Sequence, residues 1–186
     1  MAQTVGNVSA GKPAIGGAIW RAAAGTTLPT DATTALGADF KALGYCSEDG
    51  LTNSNSPESE NIKDWGGTTV LTVQTSKDDN FSFTLLEVLN PEVLKVVYGS
   101  DNVTVDSQNN IISISANSDQ PEAHAWIFDM VVRDGKMKRI VIPSATISEL
   151  GDIVYVGNGA SGYEITLSAT PDSSGNTHYE YIEAES

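Results

Sequence analysis

Alternation with a period of two runs through most of the chain after residue 68. Phe81, Phe83 and Leu85 share one face against Ser82 and Thr84, and Ile112, Ile114 and Ala116 alternate with Ser113 and Ser115. Trp126, Phe128, Met130 and Val132 line one side of a further run. Tyr163, Ile165 and Leu167 oppose Glu164, Thr166 and Ser168 in another. The breaks between runs carry turn residues. The segment Ser76-Lys-Asp-Asp-Asn80 predicts a hairpin between strands at 68–75 and 81–86, and Asp134-Gly135 supplies the positive-φ pair of a tighter one. A strand over 137–142 should stop at Pro143 or lie on an edge. A last hairpin is expected between 163–169 and 177–182.

One segment follows a different period. Asn90 is a favoured N-cap, Pro91 fits the first helical position, and Gly99 stands where a left-handed C′ residue is wanted. Leu89 and Leu94 have the spacing of a hydrophobic staple, so a two-turn helix over about 91–98 is predicted. Leu36, Phe40 and Leu43 suggest a second short helix, weakened by Gly37. The apolar stretch 14–23 predicts one strand. Ten or so strands with one flanking helix predict a mainly β fold, a β-sandwich or small barrel, in a single domain over 14–186.

Two segments lack any apolar pattern. Residues 1–13 read as a flexible N-terminal arm, and 47–67 as a long polar loop in which Ile62 and Trp65 stand isolated. Connections of that length are usually used for something, such as docking on a partner.

Charge narrows the function classes. The 186 residues carry 24 acidic and 10 basic side chains, a net −14, which lacks the basic footprint of a nucleic-acid binder. The excess is local: residues 1–45 are at +1, and no Lys or Arg follows Arg139 while seven acids do. A hydrophobic content of 40% excludes a disordered acidic tail. The single Cys46 excludes an internal disulfide framework. The start lacks the basic and apolar regions of a secretory signal, and no run reaches the ~20 apolar residues of a membrane span, so a soluble protein made in the cytoplasm is expected.

Few residues are patterned for chemistry. Gly157-Asn-Gly-Ala-Ser-Gly162 matches G-x-G-x-x-G, but a period-two run follows where a dinucleotide site needs a helix N-terminus. Cys46 has no neighbouring His and sits near Glu48 and Asp49, which disfavour its thiolate. His124 and His178 have no metal-ligand spacing and read as structural or surface groups. Asp78-Asp-Asn80 lacks the pattern of a calcium loop. Nothing selects a carboxylate pair for glycoside hydrolysis. Tyr155, Tyr163, Tyr179 and Tyr181 leave open a carbohydrate-binding or adhesin-like module, if they form an aromatic platform.

Several blocks in fixed order resemble the major tail tube protein of long-tailed, non-contractile bacteriophages. They are Gly25-Thr-Thr-Leu-Pro-Thr, Leu43-Gly-Tyr-Cys-Ser-Glu-Asp-Gly50, Ile62-Lys-Asp-Trp-Gly-Gly67, Leu89-Asn-Pro-Glu-Val-Leu-Lys-Val-Val-Tyr-Gly99 and the ending Ala169-Thr-Pro-Asp-Ser-Ser-Gly-Asn-Thr-His-Tyr-Glu-Tyr-Ile182. The resemblance implies a structural virion protein without catalytic residues or cofactors. It implies hexameric rings stacked into a hollow tail tube, met by tape measure, tail terminator and baseplate or tip proteins, through which DNA passes unbound. Six subunits at −14 would give a ring −84. On this reading Leu51, Ile62, Trp65, Lys12 and Arg21 are expected at contacts between subunits, and Glu164 and Glu180 on the lumen wall.

Overall fold

A computed structural model describes residues 5–157 and 159–184. The fold is mainly β, with 45% of residues in strands and 9% helical. Its strands are β1 (Lys12–Pro13), β2 (Ile19–Ala23), β3 (Lys41–Ala42), β4 (Thr52–Lys63), β5 (Thr69–Leu85), β6 (Val103–Asp106), β7 (Ile111–Ile114), β8 (His124–Val131), β9 (Met137–Leu150), β10 (Tyr163–Ala169) and β11 (Tyr179–Ile182). One sheet runs β3-β2-β8-β9-β10-β5-β4, with β1 on β8 and β11 on β9; β6 and β7 form a separate ribbon.

The sheet curls over its own apolar side. β5 and β8 are separated by two strands, yet Phe83 meets Phe128 at 5.3 Å and Trp126 at 5.9 Å between ring centroids, and Phe81 meets Phe128 at 6.1 Å. The two halves therefore face each other as in a sandwich, around a core that includes Ile165, Leu167, Ile140 and Ile142. Helix α1 (Pro91–Tyr98) closes it with Val93, Leu94 and Val96. Asn90 caps this helix through a 3.0 Å bond from the Glu92 amide, as its sequence predicts. The staple does not form, because Leu89 points to solvent.

On the opposite side, a smaller apolar cluster of Ala22, Phe40, Ile127 and Val141 is roofed by Leu28 and Leu36. Residues 36–43 form no helix. Asp31 instead folds the segment into a side-chain-capped turn, accepting from the Thr33 and Thr34 amides at 2.7 and 2.6 Å, and Lys41–Ala42 pairs with β2. Beneath this roof Arg139 and Asp129 form a buried, two-pronged ion pair at 2.7 and 2.9 Å.

Four further expectations need correction. Residues 52–63 of the supposed polar loop are a strand, paired along its length with β5. Its Thr, Ser and Asn side chains have a solvated surface on both faces, so hydropathy gives no alternation to detect. For the same reason residues 76–80 are not a turn; β5 runs through them. β9 continues past Pro143 because a register shift opposite Ala125 places the proline where no ladder N–H is needed. Finally, β10 and β11 do not form a hairpin. Both run along the same stretch of chain, β10 on the second half of β9 and β11 on the first.

The segment read as a flexible arm has its first four residues outside those described. From Val5 on it lies along the β8–β9 turn. Arg133 donates from Nη1 to the Val5 carbonyl at 2.6 Å and from its amide to Ser9 Oγ at 2.7 Å, and β1 pairs with Met130 and Val131.

Candidate assembly surfaces

Two surfaces stand out because the chain itself leaves them uncovered. The first is the outward face of β4, β5, β10 and the second half of β9. The inward residues of β10 are Tyr163, Ile165 and Leu167, so Glu164, Thr166 and Ser168 point away from the core. Register extends the rows sideways: Glu149, Thr166, Ser82 and Thr52 lie abreast, as do Thr146, Ser168, Asn80 and Ser54, and Glu164 lies beside Thr84. Ser82 and Thr166 share a hydroxyl–hydroxyl bond of 2.9 Å. The face is hydroxyl-rich, carries Glu149 and Glu164, and has no Lys or Arg in these rows.

The second surface is the outer half of the β4–β5 hairpin. Every residue of β4 is exposed, and so is nearly all of β5 before Asp79. Ile62 sits directly opposite Leu71, with Val73 two positions along. The tip is tightly built: Asp64 Oδ1 accepts from the Thr68 amide at 2.8 Å, the Gly67 amide donates to the Asp64 carbonyl at 3.0 Å, and Gly67 takes φ 86°. This turn holds Trp65 fully in solvent. A two-stranded ribbon with exposed apolar side chains is marginal alone and gains from a partner.

The other candidate residues are placed as follows. Leu51 packs at the margin of the main core. Lys12 is exposed on β1. Arg21 is buried beneath α1, where Nη1 reaches the Lys95 carbonyl at 3.4 Å; burial pulls its pKa down, against the pull of Glu92 and Glu122. It lines a shallow cleft of about 450 Å³ with His124, Trp126 and Tyr98. Glu180 lies opposite Ile140, whose side chain enters the core, and pairs with Lys138 at 2.9 Å. Glu180 and Glu164 therefore sit on opposite faces of the sheet and do not line the same wall.

The sites dismissed on sequence have ordinary structural settings. Burial, together with Asp49, pushes the Cys46 thiol up, against hydrogen bonding from the Thr84 and Ser47 backbone. β10, a strand, follows the glycine-rich segment 157–162, whose Asn158 lies outside the described residues. Tyr163 is buried, with its hydroxyl pushed up to about 12 by burial and by Tyr98, whereas Tyr179 and Tyr181 stack on each other over the smaller cluster. Tyr155 is exposed on another segment. The four tyrosines form no common platform. Among the described residues there is no group of three potential metal ligands, and no helix long and apolar enough to cross a membrane.

What sequence reasoning missed is the joint at the hairpin's root. Asp79 is 2% exposed and accepts from Asn53 Nδ2 at 2.7 Å, Thr177 Oγ1 at 2.5 Å and His178 Nδ1 at 2.5 Å. The partners are up to 99 residues apart, so no local pattern announces them.

Several carboxyls carry a pH signature. Burial pushes Asp79 up, but the bonds from Thr177, Asn53 and His178 outweigh it and hold it below its ordinary 3.8. Asp31 is held far down by the Thr34 hydroxyl and the Thr34 and Thr33 amides, Asp106 by the Asn109 side chain and backbone, and Asp172 by the Tyr179 hydroxyl and the Asn176 amide. Depressed folded-state values stabilise the fold above the unfolded value and lose that contribution as pH falls through them. Urea midpoints should therefore drop as pH goes below 3.8; a midpoint rising there would contradict these bonds.

A family model described as phage tail tube protein matches residues 6–186, nearly the whole chain. No curated protein matches it. With a mainly β fold, one flanking helix and an unpartnered hairpin already in place, the match settles the family. The chain belongs to the phage tail tube proteins and is a structural protein of the virion tail.

Proposed function

We propose that this chain assembles with itself into stacked rings, hexameric as the resemblance implies, whose bore carries DNA out of the virion. The observation that carries this reading is the bare hydroxyl and carboxylate face beside a protruding hairpin. Turned inward, that face lines the bore. It offers DNA no Lys or Arg, hence no counterion release to hold it in transit. Glu164 and Glu149 belong to this wall; Glu180 does not.

Ring closure has a physical motive. The sheet ends in an open β4 edge and a short β3 edge, and pairing strands between neighbours hides such edges. The hairpin then docks on the next ring through Ile62, Leu71, Val73 and Trp65. Lys12 serves contacts between subunits, and Arg21 and Leu51 support the fold beneath them. The protein acts without catalysis or cofactor, and tape measure, terminator and tip proteins meet it at the lumen and the tube's ends.

The charge of −14 per copy opposes association. Surface charges are screened beyond roughly 8 Å at physiological ionic strength and beyond roughly 3 Å at 1 M. Sedimentation velocity should show large assemblies increasing as salt is raised from about 0.05 to 1 M. Assembly that weakens as salt rises would mean that attraction between charges, rather than apolar docking, drives it.

A further inference from the structure

We infer that Asp79, Thr177 and His178 form a latch that sets the direction in which the β4–β5 hairpin leaves the body, and that this latch positions the hairpin to dock on a second copy. The role in docking rests on the tube reading above. The latch lies at a sharp boundary. Coming from the tip, Asp79 is the first buried residue of β5; Phe81, Phe83 and Leu85 follow it into the core. The neighbouring strand contributes Asn53, which bonds both to Asp79 Oδ1 at 2.7 Å and to the Asn80 carbonyl at 3.2 Å.

The third partner comes from elsewhere in the fold. Thr177 and His178 belong to the segment that carries the chain from β10 to β11, and both reach the other carboxylate oxygen, Asp79 Oδ2. The His178 ring also stands edge-on to Phe81, at 5.3 Å and 84°. Both hairpin strands and the C-terminal segment are thus tied to one buried carboxylate. A buried carboxylate is costly unless fully hydrogen-bonded, so this group holds its donors in place as much as they hold it.

Leverage makes the latch matter. The ten residues from Asp79 out to Thr69 extend about 33 Å at ~3.3 Å each, so a 10° swing at the root moves the tip by about 6 Å. Apolar contacts are made within about 4.0–4.5 Å. A swing of that size takes Trp65 and its neighbours out of register with any fixed receptor.

The test uses the full-length protein. The Thr177→Val, His178→Phe variant removes both donors while keeping their bulk and the ring against Phe81; Thr177→Ser, His178→Asn keeps a donor at each place. Tube yield is read by electron microscopy. Hairpin direction is read from the distance distribution between spin labels at Asn61→Cys and Lys41→Cys, in a Cys46→Ser background. The first variant should keep a cooperative unfolding transition, broaden the distance distribution at least twofold and cut tube yield at least tenfold. The second should match the parent in both readouts. The latch is overturned if the first variant keeps the parent's distribution, if a broadened distribution leaves tube yield unchanged, or if the donor-keeping variant fails alike. Should the parent itself form no tubes, the tube reading falls, and the distance distributions still decide whether the latch sets the hairpin.

Discussion

Replacing residues 57–77 by an Asn-Gly turn is expected to abolish tube growth while leaving the monomer folded. Ser56 and Asp78 are cross-strand partners, so a two-residue turn can join them without a register slip, and the Asn53–Asp79 contact stays inside the shortened hairpin. None of the removed residues is buried in its own chain, and exposed positions of this kind usually change stability by no more than about 0.5 kcal/mol each. For assembly the loss is large. Ile62, Leu71, Val73, Val70 and Trp65 are all exposed, and burying such side chains fully is worth roughly 1.5–3 kcal/mol apiece before the costs of association. Trp65→Ala alone should weaken stacking by tenfold or more, since aromatic anchors dominate interfaces. Tubes of normal yield from the shortened protein would remove the hairpin from stacking. Circular dichroism of the monomer distinguishes lost docking from lost folding.

The largest effect on the fold itself is expected from Asp129→Ala. Asp129 takes two bonds from Arg139, whose Nη1 also donates to the Thr34 carbonyl at 2.8 Å and the Asp31 carbonyl at 3.2 Å. Removing the aspartate leaves a buried guanidinium without its counter-charge, which costs about 3–5 kcal/mol against a total stability of about 5–15 kcal/mol. The double variant Asp129→Leu, Arg139→Met should recover most of the loss, because an apolar pair of similar bulk tolerates that site. Recovery should stop short of the parent, since the Asp31 and Thr34 carbonyls then lose their donor and the turn they belong to loosens. Denaturant midpoints check both steps. A loss below about 1 kcal/mol for the single variant would mean that water reaches this pair.

The parts of the fold legible in the sequence are those where one face is buried. α1 is read to the residue from Asn90, Pro91 and Gly99, because capping is local chemistry, although Gly99 takes φ 94°, ψ 145° rather than the left-handed helical conformation expected of it. Phe81, Phe83 and Leu85 are read as one face because the core selects every second residue of β5 there, with Ser82 and Thr84 on the other side. The strand β4 is missed for the opposite reason: with solvent on both faces, no apolar alternation marks it, and it is held by the backbone ladder to β5 and by polar side-chain bonds such as Asn53 to Asp79. β11 is misassigned because pairing between distant strands is set by the path of β9, which the turn residues at 170–176 do not reveal. Of the candidate sites, Ile62 and Trp65 stand out by being apolar in a polar stretch. Glu180 falls on the opposite face of the sheet from Glu164 because β11 pairs with β9 rather than with β10, which the local pattern does not show. The Asp79 joint had no signal, since its meaning depends on residues 177 and 178.

The central claim is that this chain is a self-assembling subunit of a hollow tube, and negative-stain electron microscopy of concentrated protein in high salt tests it most directly. Rings and stacked tubes with an open bore are the predicted result. Dispersed monomers, with no rings at any concentration or salt, would contradict it.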